Sequence, residues 1–129
     1  MPIELKMLAW SVALGLVHVL LGAALTTHQR GLRWNVGARD AVLPPVTGVA
    51  AREDRALRNF LETFPFFAAA VLAVVVLERG DASTALGAQC YFWARLAYVL
   101  LYAAGVPYLR TVVWGVSQWG LLLLLWALL

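Results

Sequence analysis

The sequence predicts an all-α integral membrane fold, an up-down bundle of four transmembrane helices in a single domain spanning residues 1–129. Three observations carry that expectation. Of the 129 residues, 63% are hydrophobic and only 13% charged, and the mean hydropathy is +0.80; a soluble domain carries roughly 45–50% apolar and about 25% charged residues. The apolar residues fall into four runs near the roughly 20 residues a helix needs to cross hydrocarbon. None of the runs shows the two-residue alternation of a barrel strand, and all exceed strand length.

The first span runs from about Leu5 to Thr27, with His18 as the one ionisable group in its interior. Lys6 opens this run, but no small-x-small cleavage site with a polar chain behind it follows, so the span is expected to stay. Residues 28–52 form a polar loop holding Arg30, Arg33, Arg39, Arg52 and the pair Pro44-Pro45. The second span starts in a polar turn near Glu53 and continues through Leu77. A short mixed-charge connection, Glu78 to Ala82, leads to a third span from about Ser83 to Ala104. Gly105-Val106-Pro107 makes a tight turn into a fourth span ending at Leu129, so the last two spans form an antiparallel hairpin. Proline there suits a first helical turn, where no N–H is needed.

Charge placement orients the bundle. Arginines 30, 33, 39, 52, 55, 58 and 110 lie on the side of the first and third connections, leaving Lys6, Arg79 and Arg95 of the ten basic residues. The positive-inside rule puts that side in the cytoplasm and both termini outside. The single cysteine, Cys90, excludes an internal disulfide framework and any multi-cysteine metal site. No metal and no nucleic acid is expected as a ligand.

Ionisable groups inside a span are costly and usually functional or paired. The second span presents Arg55, Asn59 and Glu62 at spacings of four and three, and the third presents Tyr91, Arg95, Tyr98 and Tyr102 at four, three and four, so each set shares one helical stripe. Glu62, about eight residues into its helix, sits roughly 12 Å deep; Arg95, about ten residues from the end of its own, sits roughly 15 Å deep. The two are placed to pair across neighbouring helices, either as a structural ion pair or as part of a site. Asn59, Arg55, Tyr98, Tyr102 and Arg110 lie on the cytoplasmic side of that level and are expected to line one polar cavity. Arginines match carboxylates bidentately, and tyrosines give rigid walls with a polar tip. A small polar anion suits such a cavity, whether a tripeptide thiol with two carboxylates, a phosphate or a lipid headgroup.

The remaining singled-out residues have structural readings. Ser11, Gly15 and Gly22 are expected on a helix-packing face, and His18 in a hydrogen bond across the bundle. Trp10, Trp34, Trp114 and Trp126 are expected as interfacial anchors, Trp93 and Trp119 inside the bundle, and Cys90 as a packing residue.

The run Arg55-Ala56-Leu57-Arg58-Asn59-Phe60-Leu61-Glu62-Thr63-Phe64-Pro65-Phe66 resembles the second-helix signature of MAPEG proteins (membrane-associated proteins in eicosanoid and glutathione metabolism). Phe92-Trp93-Ala94-Arg95-Leu96-Ala97-Tyr98 with Tyr102 is similar to the family's third-helix pattern, and Pro107-Tyr108-Leu109-Arg110-Thr111 to its entry into the fourth helix. The resemblance covers essentially the whole chain and points to a bacterial-type member, which would sit in the cytoplasmic (inner) membrane. It implies a homotrimer with glutathione as co-substrate, bound between subunits at the cytoplasmic ends. Arg55, Asn59, Glu62, Tyr98 and Tyr102 would bind glutathione with Arg95 beside them. Arg30 or Arg33 would reach it from the first loop, and Asp40 resembles an acidic residue beside the catalytic arginine. Arg110 would be that catalytic residue, stabilising the thiolate.

The implied activity is a glutathione transferase or peroxidase acting on a membrane lipid hydroperoxide or hydrophobic electrophile. Ala97 and Thr63 depart from the pattern of some synthase members, so eicosanoid specificity is not implied. The family also holds non-catalytic members, which keeps a lipid- or glutathione-binding scaffold as the alternative. A four-span multidrug exporter fits less well, because the first span has no carboxylate after Glu4.

Overall fold

A computed structural model describes all residues, 1–129. The chain is all helical, with four long helices and one short one: α1 (Ile3–Arg30), α2 (Leu32–Val36), α3 (Gly48–Val76), α4 (Ala82–Ala103) and α5 (Tyr108–Leu128). The five-residue α2 lies inside the loop that the sequence marks as polar and irregular. Helix α3 begins at Gly48, so the expected polar turn near Glu53 is instead helix, and Glu53 is buried. Three helices, α1, α3 and α5, are long and apolar enough to cross a membrane. The 22-residue α4 has the length, but carries Gln89, Arg95 and three of the four tyrosines.

Hydrogen bonds fix the up-down order. Gln29 at the end of α1 bonds Thr47 ahead of α3, both through its amide N–H to the Thr47 carbonyl and as acceptor from the Thr47 N–H. Arg52 on α3 donates to the Ala103 carbonyl that ends α4 (3.1 Å). At the opposite end, Thr84 near the start of α4 donates to Glu4 near the start of α1 (2.5 Å). Helices α3 and α4 are central: each touches the other three long helices, whereas α1 and α5 do not meet.

The core is a thin seam rather than a filled interior. Phe67, Val71 and Val74 of α3 pack on Ala88, Tyr91 and Phe92 of α4, with Met7 and Leu124 closing the cluster; Phe67 and Tyr91 stack with centroids 3.9 Å apart. Leu16, Leu20, Trp126 and many other large apolar residues face outward. An apolar exterior of this extent marks a surface for lipid or another chain, not for water. Trp93 and Trp119, expected inside the bundle, are about half exposed (57% and 49%), because the α4–α5 seam takes small residues.

That seam is set by glycine. A Cβ on Gly87 would lie 2.7 Å from the Gly120 carbonyl oxygen, and one on Gly120 would run into the Gly87 carbonyl, so the α4 and α5 backbones touch as in small-residue membrane crossings. The tight turn between them is Gly105, at φ 77, in the left-handed region that glycine tolerates. On α1 the expected packing face is also present: Ser11 is fully buried and Gly15 leaves room for the Phe60 ring.

Candidate functional site

The polar cavity lies at the end of the bundle where α4 runs into α5. The 3.6-residue repeat puts Arg55 and Asn59 of α3 on one stripe, Tyr98 and Tyr102 of α4 on another, and Arg110 with Trp114 on a third. These side chains, with Thr111, line one open cavity of about 240 Å³. Five of the nine candidate site residues, Arg55, Asn59, Tyr98, Tyr102 and Arg110, are therefore brought together as expected.

Aromatic faces hold the cations. Arg55 donates through Nε to the Tyr102 hydroxyl (2.8 Å), and Arg110 lies over the Tyr102 ring at 4.5 Å. Tyr98 and Tyr102 meet edge to face at 5.6 Å. Neither Arg55 nor Arg110 forms an ion pair with a carboxylate, since the chain's two salt bridges are Glu53 with His18 and Asp54 with Arg58. The cavity thus presents two guanidiniums, an amide and two phenols with no anion among its lining residues.

The expected Glu62–Arg95 pair does not form. Arg95 is almost wholly buried (1% exposed) and donates through Nη1 to the Asn59 side-chain oxygen (2.8 Å), beneath the Tyr98 ring at 4.5 Å. Its Nε and Nη2 have no partner. Glu62 is exposed and makes no salt bridge. The reason is rotational: three residues along a helix turn through about 300°, so Asn59 and Glu62 share a stripe only loosely and Arg95 hydrogen-bonds just one of them. Arg95 therefore acts beneath the cavity, steering Asn59 and Tyr98.

Arg30 and Arg33 lie apart from this cavity within one chain. Arg30 donates to the Pro44 carbonyl (3.1 Å) and sits over Trp34 at 4.7 Å; Arg33 is exposed on α2. Asp40 is exposed and makes no ion pair with Arg110.

Sequence reasoning missed Thr111 and the inward part of Trp114, taken only as an anchor; the signal was their spacing of one and four from Arg110. Trp114 also lines a larger, mostly apolar groove of about 760 Å³ between α3 and α5, with Phe66, Ala70, Ala73, Leu121 and Leu125 among its walls. One indole thus separates a polar cavity from an apolar one. His18, expected to bond across the bundle, does so: its Nδ1 lies 2.6 Å from Glu53 Oε1, both groups buried. No group of three or more His, Cys, Asp or Glu is placed to hold a metal ion.

A family model described as the MAPEG family matches residues 7–129 of the chain. No curated protein matches it, and no solved structure does.

Proposed function

The chain belongs to the MAPEG family, and from that premise we propose that it is a membrane-bound glutathione transferase or peroxidase acting on hydrophobic electrophiles or lipid hydroperoxides. The observation that carries the reading is the cavity of Arg55, Asn59, Tyr98, Tyr102 and Arg110, rich in donors and without a carboxylate. Arg55 and Asn59 would hold glutathione's carboxylates and amides, and Glu62 its ammonium. Arg110, held over Tyr102, would face the sulfur. A guanidinium beside a thiol favours its charged form and lowers its pKa, giving a nucleophile at neutral pH. The proton leaves to water at the open mouth. The sulfur then forms a C–S bond as the electrophile's leaving group departs with its electron pair. With a hydroperoxide, two glutathiones become the disulfide while the peroxide yields alcohol and water. The apolar groove that shares Trp114 would bring the second substrate from the bilayer.

All four long helices would cross the membrane, α4 being shielded by its neighbours, in the cytoplasmic membrane with the arginine end inside and both termini outside. A homotrimer would cover outward apolar faces and bring Arg30 or Arg33 of one copy to the cavity of the next. Calorimetry with glutathione on the detergent-solubilised protein, followed by conjugation assays over a panel of electrophiles, tests the proposal. Binding with turnover supports it; binding without turnover makes the chain a scaffold; no binding overturns it. A mass in mild detergent showing only monomer would overturn the trimer.

A further inference from the structure

A second cavity, sharing no lining residue with the first, opens between α1, α2 and α3 at the same end of the bundle, with a volume of about 230 Å³. Ligand pockets for drug-sized molecules run about 300–1,000 Å³, so this one suits a small polar group. Its walls change character along their length. Val19, Ala23 and Leu57 are apolar, while Thr26, Asp54 and Arg39 are polar.

The floor is Glu53, 1% exposed. Its Oε1 meets His18, but Oε2 has no hydrogen-bond partner. A buried carboxylate oxygen without a donor is costly, and such orphans in native structures call for an explanation. Oε2 points at the α1 wall of the cavity: a Cβ on Gly22, itself a lining residue, would lie 2.5 Å from it. At the rim stands a second carboxylate, Asp54, half exposed and shared with Arg58 (3.1 Å). Beside it is Arg39, which rests over Trp34 at 4.5 Å and donates Nε and Nη2 to the Asn35 carbonyl, leaving Nη1 without a bond.

We propose that this cavity is a headgroup site for a phospholipid carrying a primary ammonium. Glu53 and Asp54 take the ammonium, Arg39 takes the phosphate, and Val19, Ala23 and Leu57 receive the start of the acyl chains. The ammonium must carry N–H groups, because an orphaned acceptor needs a donor and a quaternary choline has none. Choline is held instead by aromatic cages, and the one aromatic ring here, Trp34, already carries Arg30 and Arg39. A purely anionic headgroup would leave both carboxylates facing like charge. The site is independent of glutathione binding at the other cavity.

Native mass spectrometry of the full chain, presented with equal amounts of phosphatidylethanolamine, phosphatidylcholine and phosphatidylglycerol of identical acyl chains, tests it. Phosphatidylethanolamine should be retained several-fold above the other two, and soluble phosphoethanolamine should compete with it. Glu53→Gln should remove the preference. Should that variant fail to fold, Asp54→Asn carries the test, since it leaves the His18 contact in place and should still reduce the preference. Arg39→Ala should weaken retention of the ethanolamine and choline lipids together. Glutathione affinity should be unchanged in Asp54→Asn. Equal retention of ethanolamine and choline lipids, greater retention of phosphatidylglycerol, no competition by phosphoethanolamine, or a preference that survives the carboxylate substitutions would each overturn the proposal.

Discussion

At the end of the bundle where α1 begins, charged side chains meet groups that helix ends leave over. Asp81 caps α4, accepting from the Thr84 N–H at 2.8 Å while the Thr84 hydroxyl accepts from the Asp81 N–H. Glu4 accepts from that same hydroxyl, and Arg79 donates to the last carbonyls of α5, at Ala127 and Leu128. At the other end, Arg55 and Arg110 rest on a tyrosine and face an open cavity with no anion. One end uses its charge to finish helices, as capping requires. The other spends Arg52 on the Ala103 carbonyl but keeps Arg55 and Arg110 available, held by Tyr102 with most of their N–H donors free. That contrast, more than the number of arginines, supports the proposed ligand site at the α4–α5 turn.

The largest effect is expected where a buried polar group would lose its partner. His18→Leu leaves the buried Glu53 carboxyl without its one hydrogen-bond partner, which typically costs about 1–3 kcal/mol; thermal unfolding in detergent should show it as a clear loss of stability. An unfolding temperature equal to that of the parent would mean that water already reaches Glu53. Next comes Arg110→Ser. Folding and glutathione binding should persist while conjugation falls at least roughly tenfold, or about 1.4 kcal/mol of transition-state stabilisation; unchanged turnover would reduce Arg110 to an anchor at the membrane surface. At the capping end, Asp81→Ala should cost about 1 kcal/mol of stability with glutathione affinity unaltered. An affinity change there would blur the contrast between the two ends. The smallest effect is that of Glu62→Gln. Because Glu62 is exposed and pairs with nothing, stability should hold, while glutathione affinity measured by calorimetry should drop a few-fold if the carboxylate meets the ligand's ammonium.

Much of the fold and of the site is legible in the sequence, for physical reasons. Residues at spacings of three and four share a stripe whatever the helix packs against, so spacing alone groups Arg55 with Asn59 and Tyr98 with Tyr102. Gly105-Val106-Pro107 is too short for anything but a hairpin, which puts Arg110 beside the end of α4. What stays hidden depends on helix rotation and on pairing at long range. Arg95 chooses Asn59 over Glu62 by a rotation of α3 that spacing does not set. Glu53 reads as part of the polar turn that opens the second span, yet it pairs with His18, 35 residues away. Trp93 and Trp119 face outward because glycines draw α4 and α5 too close for indoles to fit between them.

Glutathione held as its thiolate at the α4–α5 end, as proposed, would be seen directly by ultraviolet difference absorbance. Titrating glutathione into the detergent-solubilised protein near neutral pH should produce a saturable thiolate band, accompanied by proton release to the buffer. The band should be lost in Arg110→Ser although glutathione still binds. Saturable binding with no thiolate band in the parent protein, or a band that survives unchanged in Arg110→Ser, would mean that Arg110 does not activate glutathione.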